Sequence, residues 1–173
     1  MRFWKLFFLL TFLSACGSGK KLHTEIYRGK LILVGIAKVS DLQKPPYGNW
    51  FNTNYKQYFP EHTATDYLKN HLAGKTIEVY MGTWCPDSRA NVPEIIKVLD
   101  LAGFDRKNLI IHTLPRHFQN DPQTKGKNIA RVPTVIVYEN GKELGRIVEY
   151  PNVNYETDLM NILKGNYKQE EDE

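Results

Sequence analysis

Apolar and polar positions alternate with two periods along this chain. Within residues 25–39, Leu31-Ile32-Leu33-Val34 and Ile36-Ala37-Lys38-Val39 form apolar runs around Arg28-Gly29 and Gly35, which read as strands. Gln43 to Asn49 holds two prolines and a glycine and predicts a loop. Thr76 to Met81 alternates as a half-buried strand does. Val92, Ile95, Ile96 and Leu99 then recur at helical spacing, so this segment predicts a helix with one buried face, ended by Gly103. Leu109 to Leu114 reads as a buried strand, and the polar stretch from Pro115 to Asn128 as a connection in which Asp121-Pro122 starts a turn or short helix. Two further strands, Val135 to Tyr138 and Leu144 to Tyr150, flank Asn140-Gly141, the strongest short hairpin signal. Tyr155 to Leu163 predicts a last helix with Leu159, Ile162 and Leu163 inward.

Three local features modify this outline. Thr63 or Thr65 can cap a short helix that runs to about Leu72, with Ala73-Gly74 closing it. Pro93 falls inside the helix after Met81; it removes the N–H that would bond the carbonyl of Arg89 and so predicts a kink. Tyr47, Trp50, Phe51, Tyr55, Tyr58 and Phe59 crowd into one short segment. These rings either cover an open edge of the core or line a groove that holds a partner's peptide.

The first residues belong to neither period. Arg2 and Lys5 precede an apolar run, Leu6 to Leu13, that is too short to span a bilayer and reads as a secretory signal over residues 1–15. Leu13-Ser14-Ala15-Cys16-Gly17 resembles a bacterial lipobox, and the resemblance implies a lipid-bearing Cys16 followed by a polar tether over residues 16–24. An ordinary signal peptide with a chance cysteine is the alternative. Gly17 is not the aspartate that retains many lipoproteins at the inner membrane, which favours the outer membrane of the envelope. Loss of the leader lowers the formal charge from +4 to +2 by removing Arg2 and Lys5. No basic patch or stripe remains to suggest nucleic-acid binding. The five histidines show no ligand spacing, so neither a metal nor a cofactor is expected.

The chain has two cysteines, Cys16 and Cys85. With Cys16 lipidated, Cys85 is the one thiol left, and no internal disulfide can form. It lies in Gly82-Thr83-Trp84-Cys85-Pro86-Asp87-Ser88-Arg89, between a predicted strand and a predicted helix. Such a junction aims unpaired backbone N–H groups at the sulfur, and Pro86 fits the first helical position because its missing N–H costs no bond there. The helix end favours a thiolate by about 0.3–1 kcal/mol when exposed. Asp87 opposes it by about 0.6 kcal/mol at roughly 7 Å. Arg89 is expected to cancel part of that charge, and Ser88, three residues on, is close enough to donate to a thiolate.

Trp84-Cys85 after a strand, Pro93 inside the next helix, and Val132-Pro133-Thr134 leading into a hairpin at Asn140-Gly141 together resemble the thioredoxin family over about residues 76–163. The resemblance implies an α/β fold: a thioredoxin-like three-layer arrangement with a mixed central sheet flanked by helices. Residues 25–75 would add an N-terminal strand and aromatic-loop extension, and residues 166–173 an acidic tail. It also implies a cis Val132-Pro133 bond packed against Cys85, so that Trp84, Pro86, Val132 and Pro133 shape a substrate groove. Two positions depart from the family. Ser88 replaces the second cysteine of Cys-x-x-Cys, and Val79 replaces a buried aspartate six residues before the first cysteine, with Glu78 turned to the opposite face of the strand.

Both departures remove parts of a dithiol cycle. One thiol can attack a disulfide, but the mixed disulfide must be resolved from outside. The expected function is therefore exchange through Cys85, assisted by Ser88, with thiol- or disulfide-bearing envelope proteins or small thiols as partners and the membrane engaged through the lipid. A redox-inactive module that holds extended peptides beside Pro133 is the alternative. Peroxide chemistry through a sulfenic acid at Cys85 is a third reading.

Overall fold

The computed structural model describes residues 21–169. The leader 1–15, Cys16, the tether up to residue 20 and tail residues 170–173 lie outside the described residues. No helix among the described residues is long and apolar enough to cross a membrane.

β1 (His23–Tyr27) and β2 (Lys30–Ala37) form a hairpin whose turn, Arg28-Gly29, has positive φ at both residues. Such a turn matches the right-handed twist of its strands. β2 carries on through Gly35, and the chain turns helical at Val39, ending the expected strand two residues early. After the short helix α1 (Val39–Leu42) and the proline loop, the aromatic segment folds as helix α2 (Gly48–Gln57). Helix α3 (His62–His71) is capped by Glu61, whose carboxylate accepts from the N–H groups of Thr63 and Ala64. The expected threonine cap is displaced because a carboxylate two residues before Thr63 satisfies two orphan donors at once.

β3 (Lys75–Met81) leads to helix α4 (Pro86–Leu101), and β4 (Leu109–Thr113) lies parallel to β3. β5 (Thr134–Glu139), β6 (Lys142–Val148) and helix α5 (Tyr155–Leu163) complete the chain. Asn140 and Gly141 both have positive φ, as the hairpin reading requires. The sheet order is β1-β2-β4-β3-β5-β6, a mixed sheet in which β3–β4 is the parallel pair. Gln169, within the segment expected to begin the tail, returns along β6 and accepts from the Val148 N–H at 2.9 Å.

Alternation along β3 divides the interior. Ile77, Val79 and Met81 face the larger core, shared with Phe51, Leu68, Ile95, Leu99, Leu159 and other buried residues of α2 to α5. Tyr80 faces the other side, with Ile136, Leu114, Phe118, Ile129, Val132 and Cys85. The first face is covered by helices. The second is covered by the connection from β4 to β5, whose regular part is the 3-10 turn Pro122–Thr124 capped by Asp121. The thiol stands at the edge between the two, where α4 begins.

The aromatic segment resolves onto the helical side. Tyr47 and Phe51 are buried in the larger core, with Trp50, Tyr55 and Tyr58 packed against it. Tyr55 donates to Asp100 at 2.7 Å and Tyr58 to Glu156 at 2.8 Å. Phe59 is 86% exposed. None of these rings belongs to the cluster around Cys85, and all but Phe59 pack on the larger core, as the edge-covering reading has it.

Candidate functional site

The site grows out of a tight turn at the end of β3. Cys85 N–H donates to Gly82 O at 2.9 Å, and α4 starts at once, with Cys85 as its N-cap, Pro86 at the first helical position and the Arg89 N–H donating to Cys85 O at 3.1 Å. The turn is tied to its surroundings from three sides. Leu33 N–H of β2 donates to Thr83 Oγ1 at 2.9 Å. Arg89 Nε donates to Thr83 O at 2.7 Å, and Trp84 Nε1 to Leu114 O at 2.9 Å. Trp84 folds back so far that a Cβ on Gly82 would lie 2.4 Å from its ring. Its indole stacks on Phe118 and carries the Arg116 guanidinium above it at 4.6 Å.

Cys85 is 6% exposed. Its Sγ lies 3.3 Å from Val132 O and 3.8 Å from Asp87 Oδ2, two acceptors to which an S–H can donate. The Val132-Pro133 bond is cis, as the resemblance implied, and Val132 O lies beside the thiol. Trp84, Pro86, Val132 and Pro133 thus converge around Cys85, with Pro86 exposed, Trp84 half-buried and the other two buried.

Two expected roles take a different form. Ser88 is fully buried, and its Oγ accepts from the Gly82 N–H at 3.2 Å; among the described residues no hydrogen bond joins it to Cys85. The first helical turn points Ser88 inward under the β3–α4 turn, where the Gly82 N–H needs an acceptor. Among the described residues no ion pair joins Asp87 to Arg89, whose Nε donates to Thr83 O. Its partner is Tyr150, which donates to Asp87 Oδ1 at 2.5 Å. That bond pushes the Tyr150 hydroxyl up to about 12, with partial burial adding to it.

Sequence reasoning passed over Tyr150 because it sits past the end of β6, 63 positions from Asp87, where no periodicity links the two. A signal did exist for another contributor. Pro93 leaves the Arg89 carbonyl without its helical partner, and α4 runs on through Pro93 while Asn54 Nδ2 of α2 donates to that carbonyl at 2.9 Å.

On the face of β3 that carries Tyr80, Glu78 is enclosed by a polar network. Lys127 Nζ donates to Glu78 Oε1 at 3.0 Å and to Tyr138 Oη at 3.1 Å, and Tyr80 donates to Glu78 Oε2 at 2.6 Å. His112 stacks on Tyr80 and places Nε2 3.9 Å from Glu78. Glu78 therefore braces the β4–β5 connection and does not serve Cys85. Among the described residues no group of three His, Cys, Asp or Glu side chains is placed to hold a metal ion.

A family model described as thioredoxin matches residues 47–161. A crystal structure of a Pseudomonas aeruginosa protein of unknown function superposes with a TM-score of 0.51 at 17% identity, over 69% of this chain and 82% of that one. An HIV epitope-scaffold is similar at a TM-score of 0.44 and 19% identity, over 68% of this chain and 72% of that one. No curated protein matches the chain.

Proposed function

The chain belongs to the thioredoxin family, and on that footing we propose that it is an exported, lipid-anchored member that exchanges thiols and disulfides through one cysteine. The observation that carries this reading is the placement of Cys85 Sγ at the N-cap of α4, 3.3 Å from the carbonyl that precedes cis Pro133. A sulfur there has the helix end in front of it and a groove of Trp84, Pro86, Val132 and Pro133 around it.

The step is as follows. Cys85 gives up its proton, and the thiolate lone pair forms a bond to one sulfur of a partner's disulfide. The partner's S–S bond breaks, its electron pair leaves on the second sulfur, and that sulfur takes a proton. Cys85 ends in a mixed disulfide, with one partner sulfur reduced to a thiol. Since Ser88 stands where dithiol relatives have a second cysteine, an external thiol must attack the mixed disulfide to regenerate Cys85. Envelope proteins bearing thiols or disulfides, or small thiols, fit this cycle. Cys16 would hold the domain at the membrane through its lipid, with the outer membrane of the envelope as its site and residues 25–165 as one domain.

The test is incubation with glutathione disulfide near neutral pH and measurement of intact mass. One glutathionyl adduct, mapped to Cys85 and absent from Cys85→Ala, supports the reading. No adduct at Cys85 ends it. The burial of the thiol, at 6% exposure, favours one second reading, a binding module that uses the Pro133 groove without turnover. Partner binding unchanged in Cys85→Ala would select it.

A further inference from the structure

The chain turns sharply just past β6, and the turn delivers a tyrosine to the thiol's neighbour. Glu149 adopts φ +59°, a left-handed conformation that non-glycine residues seldom take. It is held there from three directions. Its N–H donates to Pro133 O at 2.7 Å, and its carbonyl accepts from Asn91 Nδ2 at 3.3 Å and from Tyr155 Oη at 3.1 Å. Asn91 and Tyr155 are themselves buried. Strained residues persist where the surroundings over-determine them, and they concentrate at functional sites. The consequence at this one is that Tyr150, half-exposed, sets its hydroxyl on Asp87 Oδ1 while Oδ2 of the same carboxylate faces Cys85 Sγ at 3.8 Å.

We propose that Tyr150 is a positioning residue: by holding one oxygen of Asp87 it keeps the other on Cys85 Sγ, where the carboxylate accepts the S–H and opposes the thiolate. The inference rests on Cys85 being the reacting atom. Other charged groups are turned elsewhere. Arg89 Nε is on Thr83 O, Arg116 lies over Trp84, and Glu149 Oε2 pairs with Arg131 at 2.9 Å. Among the described residues no ion pair is formed by Asp87, and its two oxygens go to Tyr150 and Cys85. Val132 O adds a second acceptor on the same sulfur. Both acceptors can take the S–H of the resting thiol.

The test is the pH profile of iodoacetamide alkylation at Cys85, read by mass spectrometry on the Cys85 peptide of the full chain. It requires no disulfide turnover, so its failure is separable from failure of the exchange reaction. With the unit charge 3.8 Å from the sulfur removed, Asp87→Asn should move the profile to lower pH, with roughly sixfold faster alkylation on its acid limb by the Coulomb energy through water. Tyr150→Phe should move it the same way by less, and should add nothing in the Asp87→Asn background. Thermal melts of each variant establish that it is folded. An unchanged profile in Tyr150→Phe, a move to higher pH in either variant, or additive effects in the double variant would overturn the proposal.

Discussion

Asn54 on α2 donates its side-chain amide to the backbone carbonyl of Arg89 on α4, at 2.9 Å, and this is the carbonyl that Pro93 leaves without a helical donor. The proline that interrupts the ladder of α4 therefore creates the acceptor that fastens α2 to it.

Asn54→Ala should lower stability by about 1–2 kcal/mol, since it leaves a partly buried acceptor unsatisfied. Thermal or urea denaturation measures it. In a Pro93→Ala background, which restores an N–H four residues beyond Arg89, the same change should cost clearly less. Equal costs in the two backgrounds would sink the argument.

This pair also marks how far the sequence could be read. Pro93 announces an orphan carbonyl at Arg89, because the loss is a matter of backbone spacing within one helix. That Asn54 satisfies it depends on how α2 packs on α4, and side-chain periodicity carries no register between helices. The same boundary runs through the site. Cys85 at the helix start, Pro86 at its first position and the Val132-Pro133 approach follow from local spacing and from the family resemblance. Tyr150 follows from the left-handed turn at Glu149, where nothing in the residue type foretells a positive φ. Ser88 was placed within reach of the sulfur by spacing alone, and the structure gives its Oγ to Gly82 N–H because a buried donor at the turn had to be met.

Gly82 is required by a side chain two residues away. A Cβ there would lie 2.4 Å from the Trp84 ring, and the indole is fixed by its bond to Leu114 O and by Phe118. Gly82→Ala should therefore cost about 1–3 kcal/mol, as overpacking does. It should also expel the ring from its site, which a changed chemical shift of the Trp84 indole N–H would register. A Gly82→Ala variant as stable as the parent, with that shift unmoved, would show that the turn has slack.

Burial holds the His112 imidazole below the ordinary histidine range, against the upward pull of Glu78 and of its Gln123 bond, while Lys127 pushes it further down. The folded state thus binds this proton more weakly than the unfolded chain does. By linkage the contribution to stability is fully present above about pH 6.5, the unfolded value, and is lost as pH falls below it. Urea midpoints between pH 7.5 and 5.5 should decline for the parent and decline less for His112→Gln, which keeps a polar group but no titration. Parallel declines would assign the effect to other groups.

Ser88→Cys is the sharpest probe of the missing half of the cycle. Position 88 is three residues beyond Cys85 in the first turn of α4 and fully buried, so an introduced thiol would be one helical turn from Cys85 and out of reach of large partners. Attack from there on a mixed disulfide at Cys85 is intramolecular, and an effective concentration in the millimolar range or above outcompetes micromolar external thiols. After exposure to glutathione disulfide the variant should accumulate an internal disulfide, seen as a loss of about two mass units per chain on release of glutathione. The parent should retain its glutathionyl adduct under the same conditions. Resolution should still be slow, because apolar Val79 stands where the family resemblance puts a proton-accepting aspartate. Val79→Asp in the same background should speed it, at a cost in stability from placing a carboxylate among apolar side chains. A Ser88→Cys variant that keeps its glutathione as the parent does would mean that Cys85 and position 88 are not aligned for exchange, and that the serine is there to hold Gly82.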